Sequence, residues 1–269
     1  MVCVDDAVGC EIQRLALRQP VMGVTSLDNH LYVLRDNKSS EQVEVYDVNS
    51  YHFQRCLTVP GLRDANDIVA CAHNRCAYIS NSSHKSVHKI ALSGDTTTQW
   101  PVNDKPNGLS LSLTHGVLVT CFDVRKIKEF STDGQLLHEV VLPDELASPF
   151  HSVQLSSGEF IVCHGGNAYP IHRVCLVSSD GQVVKSFGGP VGLSNQKMNL
   201  PVCLAVDENE SVFVADMNNR RVLLLSPSLT FVRQVVSPAQ LTGRPRAVHL
   251  DVNHILYVAD DRQVAVFSV

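Results

Sequence analysis

The chain has 269 residues, 44% hydrophobic and 18% charged, which is enough apolar material for a sizeable core and excludes a disordered protein. Its 22 basic and 27 acidic residues give a net charge of −5, which excludes a surface that is basic throughout, as in proteins that coat nucleic acid. No apolar run reaches the roughly 18 residues of a membrane span, and the first ten residues lack the basic and apolar regions of a signal peptide.

The nine cysteines are scattered along the chain without a CxxC pair, and several lie inside apolar runs. An odd number excludes complete pairing. We therefore expect most of them to be small buried residues with free thiols, which predicts a reducing compartment and a cytoplasmic location.

A short apolar run recurs with a mean period of about 45 residues. The six runs are LYVL ending at Leu34, AYIS at Ser80, VLVT at Thr120, FIVC at Cys163, VFVA at Ala215 and LYVA at Ala259. Each run lies inside a unit with four short β-rich stretches, and no segment keeps a helical period over 12 residues. The Asp133-Gly134 and Asp180-Gly181 pairs between such stretches predict hairpin turns, because both residue types tolerate positive φ.

Four short antiparallel strands repeated six times predict an all-β protein, a six-bladed β-propeller forming a single domain over residues 1–269. The blades are expected at about 21–60, 61–102, 103–145, 146–192, 193–240 and 241–269. The last unit ends after its third strand. We therefore expect the strand at residues 11–18 to supply the fourth strand and to close the ring.

The fifth and sixth units also resemble a known family. Residues 200–222 contain PVCLAVD, VFVAD and NNRRV, and residues 246–264 contain AVHLDV and LYVAD. This pattern is similar to the NHL repeat. The resemblance implies an NHL-type propeller such as the one at the C-terminus of tripartite-motif (TRIM-NHL) proteins, where a RING domain, absent from this chain, would hold any ubiquitin ligase activity. The repeat residues Asp216, Arg221, Asp260 and Arg262 are expected to hold loops and blades together.

In such propellers the loops between blades, and those between second and third strands, share one face, here called the top face. These loops carry a small basic excess, whereas the rest of the chain carries the acidic excess. The predicted partner- or RNA-binding residues of this face are basic, aromatic or histidine side chains. They are Arg63, Lys105, Phe122, Arg125, Lys126, His151, Tyr169, Lys197, Arg244 and Arg246.

The first residues of each first strand are expected to surround the central axis and to form a small pocket. Its polar members are Asn66, Asp67, Asn107, His151 and Arg246. The stretch Lys105–Gly108 resembles the Pro-Asn-Gly start of calcium-dependent lactonase-type propellers, which need several oxygen ligands. Met22 stands where that family has an acidic ligand, and Arg246 opposes a cation, so we expect no metal and no cofactor.

The remaining histidines show no metal-binding spacing. We expect His84, His88, His164 and His172 to lie in solvated loops or on strand surfaces.

Three functions follow from these observations. The first is a non-catalytic recognition platform that binds a protein partner or peptide on the top face. It would act as the substrate- or adaptor-binding domain of a larger TRIM-like ubiquitin ligase. We expect the isolated domain to be a monomer. The second is RNA binding by the basic top-face loops, where phosphate contacts would supply most of the affinity. The third is a metal-dependent lactonase or lyase. No nucleophile motif, phosphate loop or carboxylate pair supports an enzyme.

Overall fold

A computed structural model describes residues 9–17, 19–35, 42–93 and 96–269. Its strands form six four-stranded antiparallel sheets. Blade 1 contains β2 (Val21–Leu27), β3 (His30–Arg35), β4 (Gln42–Asp47) and β5 (Phe53–Thr58). Blade 2 contains β6 (Ala65–Cys71), β7 (Cys76–Asn81), β8 (Ser86–Ala91) and β9 (Thr97–Pro101). Blade 3 contains β10 (Pro106–Leu111), β11 (Val117–Cys121), β12 (Lys126–Phe130) and β13 (Leu136–Val141). Blade 4 contains β14 (Pro149–Gln154), β15 (Phe160–His164), β16 (Ile171–Val177) and β17 (Val183–Pro190). Blade 5 contains β18 (Pro201–Val206), β19 (Val212–Asp216), β20 (Arg221–Leu225) and β21 (Phe231–Val236). Blade 6 contains β22 (Ala247–Leu250), β23 (Ile255–Ala259), β24 (Gln263–Ser268) and β1 (Cys10–Ala16). In the described ranges the helical segments are two 3-10 turns, Met217–Asn219 and Pro238–Gln240.

The ring closes through the N-terminal strand. β1 pairs with β24 in antiparallel fashion, and the sheet order is β1-β24-β23-β22. Leu15 of β1 is 6% exposed and packs into an apolar cluster that joins blades 5, 6 and 1. Burial of such a side chain contributes about 2 kcal/mol, and the pairing covers the edge of β24. The predicted six-bladed fold with its closing strand is confirmed, although Arg18, the predicted end of that strand, lies outside the described residues.

Burial follows the position of each strand within its blade. Every residue of β7, β11, β15 and β19, the second strands of blades 2 to 5, is buried. These strands have neighbouring blades on both faces, which explains their nearly continuous apolar sequences. The fourth strands form the rim, and in β5 and β13 most side chains are exposed.

Both predicted Asp-Gly turns are present. Gly134 lies between β12 and β13 with φ of +83°, and Gly181 lies between β16 and β17 with φ of +90°. A side chain at either position would be strained in this backbone conformation. The dipeptides thus act locally, as the sequence predicted.

The cysteines mostly match the expectation of buried thiols. Six of the seven free cysteines in the described part of the chain are buried, and Cys56 is exposed. Cys10 is disulfide-bonded and is an exception to that expectation. In the same residues, the structure has no helix of the length and hydropathy needed to cross a membrane.

Candidate axial binding site

The first strands of the six blades line the axis. Each contacts the first strand of the next blade, and β22 contacts β2 to complete the ring. Their first residues, with the loops that follow several second strands, surround a cavity of about 360 Å³. The lining residues are Met22, Asn66, Asp67, Asn107, Gly108, Phe122, Phe150, His151, Gly166, Asn167, Leu200, Val202, Cys203, Met217 and Arg246. All five polar residues expected at the axis therefore lie around one cavity.

Asp67 ties three blades together at this axis. Its Oδ1 accepts the Ile68 amide at 2.8 Å, and its Oδ2 accepts the Leu109 amide at 2.8 Å. The Nε2 of His151 lies 3.4 Å from the same Oδ2. Each oxygen accepts a backbone amide, one from blade 2 and one from blade 3, so the carboxylate has a fixed orientation and helps to organise the cavity.

His151 is 5% exposed. Its Nε2–H donates to the Leu109 carbonyl at 3.0 Å, which leaves Nδ1 without a partner among the described residues. A Cβ on Gly108 would lie 2.6 Å from Cδ2 of this ring. The glycine of the Pro-Asn-Gly stretch is thus required for close packing against His151.

The two axial asparagines use their amide nitrogens to join blades. Asn66 Nδ2 donates to Ser82 Oγ and to the Pro106 carbonyl at 3.3 Å, and Asn107 Nδ2 donates to the Phe150 carbonyl at 2.8 Å. Neither amide oxygen accepts a hydrogen bond from the part of the chain that the structure describes. Asn66 and Asn107 therefore present acceptors to the cavity.

Arg246 supplies the cavity with positive charge. Its Nε donates to Asp261 Oδ1 at 2.9 Å, while Arg244 Nε lies 3.6 Å from Asp261 Oδ2. Two guanidinium groups thus share one carboxylate. The terminal nitrogens of Arg246 have no acceptor among the described residues.

Apart from the polar Asn167, most of the remaining wall is apolar. Met22, Leu200, Val202 and Met217 contribute aliphatic surface. Phe122 and Phe150 form an edge-to-face pair with ring centroids 5.1 Å apart. Met217 was not predicted at this cavity from the sequence. It directly follows a second strand, as Phe122 does, and this equivalent position in the repeat could have identified it.

A second cavity of about 480 Å³ continues from the first across blades 2 and 3. The two share Asn66, Asn107, Phe122 and Phe150. The second extends to Asp64, Ser82, Ser83 and Lys105. Lys105 therefore lies beside the axial site.

The other predicted top-face residues lie away from the axial cavity, and several are paired with acids. Arg125 Nη2 lies 2.5 Å from Asp144 Oδ1, and Lys126 Nζ lies 2.6 Å from Glu139 Oε1. The remaining members are exposed side chains outside both cavities. They are Arg63, Tyr169, Lys197 and Arg244. The basic charges of this face are thus interleaved with acidic ones.

The NHL-like repeat residues have structural contacts. Arg221 Nε donates to Asp216 Oδ2 at 2.8 Å, and both side chains are buried. In blade 6 the corresponding aspartate has different partners. Asp260 Oδ2 accepts Gln263 Nε2 at 3.0 Å, whereas Arg262 contributes its backbone amide at 2.8 Å to Oδ1.

Three histidines expected in solvated positions are instead buried. His88, His164 and His172 are at most 2% exposed. His172 Nδ1 accepts the Leu200 amide at 2.7 Å, and its Nε2 contacts the Gly166 and Tyr169 carbonyls. It thereby holds a cavity-lining loop. Burial lowers the pKa of His164 to about 4. The expectation failed because these residues lie within second and third strands, at or near strand ends that neighbouring loops cover.

The cavity does not fit the calcium site of lactonase-type propellers. The described residues that line it include a single carboxylate, Asp67, where a calcium ion needs several oxygen ligands, and Arg246 opposes a cation. Across residues 9–17, 19–35, 42–93 and 96–269, no three His, Cys, Asp or Glu side chains converge as metal ligands would.

Comparisons with known proteins identify the fold. No family model and no curated protein matches the chain. Virginiamycin B lyase from Staphylococcus aureus is 12% identical with a TM-score of 0.66, covering 92% of this chain and 81% of the lyase. A chain of the nidogen/laminin complex is 13% identical with a TM-score of 0.68, and the match covers 86% of this chain and 84% of that one. The WD40 propeller of Doa1 is 12% identical with a TM-score of 0.64, and the match covers 97% of this chain and 96% of that one.

The fold is a six-bladed β-propeller. At these identities the likeness shows architecture alone, and proteins of this architecture include an enzyme and a member of a protein complex. The NHL relationship stays a prediction from the repeat residues.

Proposed function

We propose that this chain is a non-catalytic recognition domain that binds a protein partner or peptide on its top face, with the axial cavity as the anchoring point. The cavity combines apolar walls with a few convergent polar groups, as ligand sites usually do. The second cavity lengthens it into a groove suited to a peptide.

The interleaved charge of the top face is the observation that carries this proposal. Arg125, Lys126, Arg244 and Arg246 each lie beside a carboxylate. A strand of RNA presents phosphates and requires a continuous basic surface, because counterion release supplies much of its affinity. Mixed charges around an apolar centre are typical of protein interfaces.

The wider setting is proposed from the repeat resemblance. We place the domain in a TRIM-like ubiquitin ligase, as its substrate- or adaptor-binding part, in the cytoplasm and monomeric when isolated. The buried Asp216–Arg221 pair supports the resemblance, because it gives two NHL-like residues a stabilising contact.

A random displayed-peptide selection against the purified chain tests the function. Val202→Phe places a ring in the axial cavity, and Val252→Phe makes the same change at a 95% exposed turn on the opposite face. We expect enriched peptides that lose binding to the Val202 variant and keep it with the Val252 variant. Absence of enrichment, or equal binding to both variants, would refute the proposal.

A parallel titration with a random single-stranded RNA pool at two salt concentrations tests the alternative. Submicromolar binding that weakens steeply with salt would overturn the protein-binding proposal in favour of RNA. No binding at tens of micromolar is the expected result.

A further inference from the structure

Resting on the proposed function, we infer that the axial cavity recognises an acidic peptide: it takes one bulky apolar side chain, while Arg246 binds a neighbouring carboxylate. The carboxylate comes from an Asp or Glu side chain or from a peptide C-terminus. The apolar wall, the partly neutralised arginine and the two asparagine oxygens each bind a different part of such a peptide.

The guanidinium group of Arg246 is held in an orientation that suits binding of a carboxylate. Asp261 holds its Nε at 2.9 Å and so orients the guanidinium group, while Arg244 lies near the same acid and keeps the local charge positive. The two terminal nitrogens of Arg246 remain as a fork. Such a fork binds a carboxylate through two parallel charge-assisted hydrogen bonds, with geometric selectivity that a lysine lacks.

The cavity beside that fork suits an apolar side chain. A volume of about 360 Å³ is at the lower end of ligand pockets and holds one bulky residue. The Phe122–Phe150 pair and Met217 surround this volume. A methionine wall adapts to aromatic or aliphatic guests.

The remaining polar groups set the direction of the peptide. Asn66 and Asn107 lie on blades 2 and 3 with amide oxygens available to accept peptide N–H groups. Asp67, on the same side, repels a carboxylate from that end of the cavity. The acidic group therefore lies at blade 6, beside Arg246, and the peptide backbone lies across the asparagines.

Saturation-transfer NMR with four N-acetylated peptides, three of them also amidated at the C-terminus, tests this inference, because it detects affinities into the millimolar range. The probes are Gly-Gly-Phe-Glu-Gly-Gly, its Phe-Gln and Ala-Glu counterparts, and Gly-Gly-Gly-Phe with a free C-terminus. We expect the Phe-Glu probe to bind about ten- to a hundredfold more tightly than the Phe-Gln probe, as for the loss of a charge-assisted contact. The Ala-Glu probe should also lose binding, and the free C-terminus shows whether a terminal carboxylate serves.

Arg246→Gln is the matching protein variant, and Lys185→Gln, at an exposed basic residue of the rim strand β17 outside the cavity, is its control. We expect the preference for Phe-Glu to disappear in the first and to persist in the second. Equal binding of Phe-Glu and Phe-Gln to the unmodified chain would overturn the inference whether or not a variant folds. So would a preference that survives Arg246→Gln.

Failure of the inference is distinguishable from failure of the proposed function. Displayed peptides that lack acids, yet still lose binding to the Val202→Phe variant, would keep the recognition role and overturn the acidic anchor. Absence of any peptide binding would overturn both.

Discussion

The buried pair in blade 5 gives a sharp test of how the repeat residues stabilise the fold. Arg221 is 3% exposed and Asp216 is fully buried. The guanidinium group donates to Asp216 and also to the carbonyls of Leu193, Ser194 and Lys197 at 2.8 to 3.0 Å. Arg221→Met keeps much of the side-chain volume but removes every one of these donors.

The cost is dominated by the carboxylate that remains. Asp216 would still accept the Asn199 amide and the Asn219 side chain, but its charge would be buried without a counter-charge. Breaking one partner of a buried pair costs about 3–5 kcal/mol. Burial already raises the pKa of Asp216, so the carboxyl group has a tendency to protonate that keeps the cost within this range. Leu193, Ser194 and Lys197 are exposed residues, so water can replace the lost donors at their carbonyls, which should add little to the cost.

Trp100, the single tryptophan, is 6% exposed and reports urea unfolding by fluorescence. With a slope near 3 kcal/mol per molar urea, the Arg221→Met midpoint should fall by about 1 to 1.7 M. Arg220→Met makes the same change at an exposed neighbour whose side chain bonds two carbonyls, and it should cost under about 1 kcal/mol. Equal midpoints for the two variants would refute the role assigned to the buried pair.

Three further predictions use the same fluorescence assay. Burial places the pKa of His164 at about 4, below its unfolded value near 6.5, so the unfolded chain binds this proton first and the stability of the fold decreases as pH drops through that window. His164→Leu should therefore abolish roughly 2 kcal/mol of the stability that is lost between pH 7 and 5. An unchanged pH dependence would contradict this. Gly134→Ala should cost about 1–3 kcal/mol of stability and alter the emission of Trp100, because a Cβ would lie 2.4 Å from Cγ of that ring. Gly158→Ala is the control and should cost less, because Gly158 has a similar positive φ but open space around it. Equal costs would exclude the steric explanation. Lys128→Met should lower the free energy of unfolding by about 1–3 kcal/mol, because its buried Nζ donates to the Val102 carbonyl at 3.1 Å and lies 2.7 Å from the Asp104 carboxylate. An unchanged urea midpoint would show that this contact is dispensable.

Local signals predicted much of the axial ring as well as the fold. Asn66, Asp67, Asn107, His151 and Arg246 were placed at the axis because each begins a first strand of a repeat, and a repeat puts equivalent positions at equivalent depth. The partners of these side chains were not predictable. The acceptor of His151 is the carbonyl of Leu109, 42 residues away, and nothing local specifies that contact.

Residue type and spacing were thus sufficient for the architecture. The apolar second strands, the Asp-Gly turns and the unit lacking its fourth strand determined six blades closed by β1, because period and turn chemistry act over a few residues. Tertiary structure decided the state of each charged or titratable group. It buried His164, engaged both oxygens of Asp67 and left the terminal nitrogens of Arg246 without a described acceptor. Much of this burial, and the contacts of Asp67 with Leu109 and His151, come from neighbouring blades that are distant in the chain, and only the closed ring brings them together.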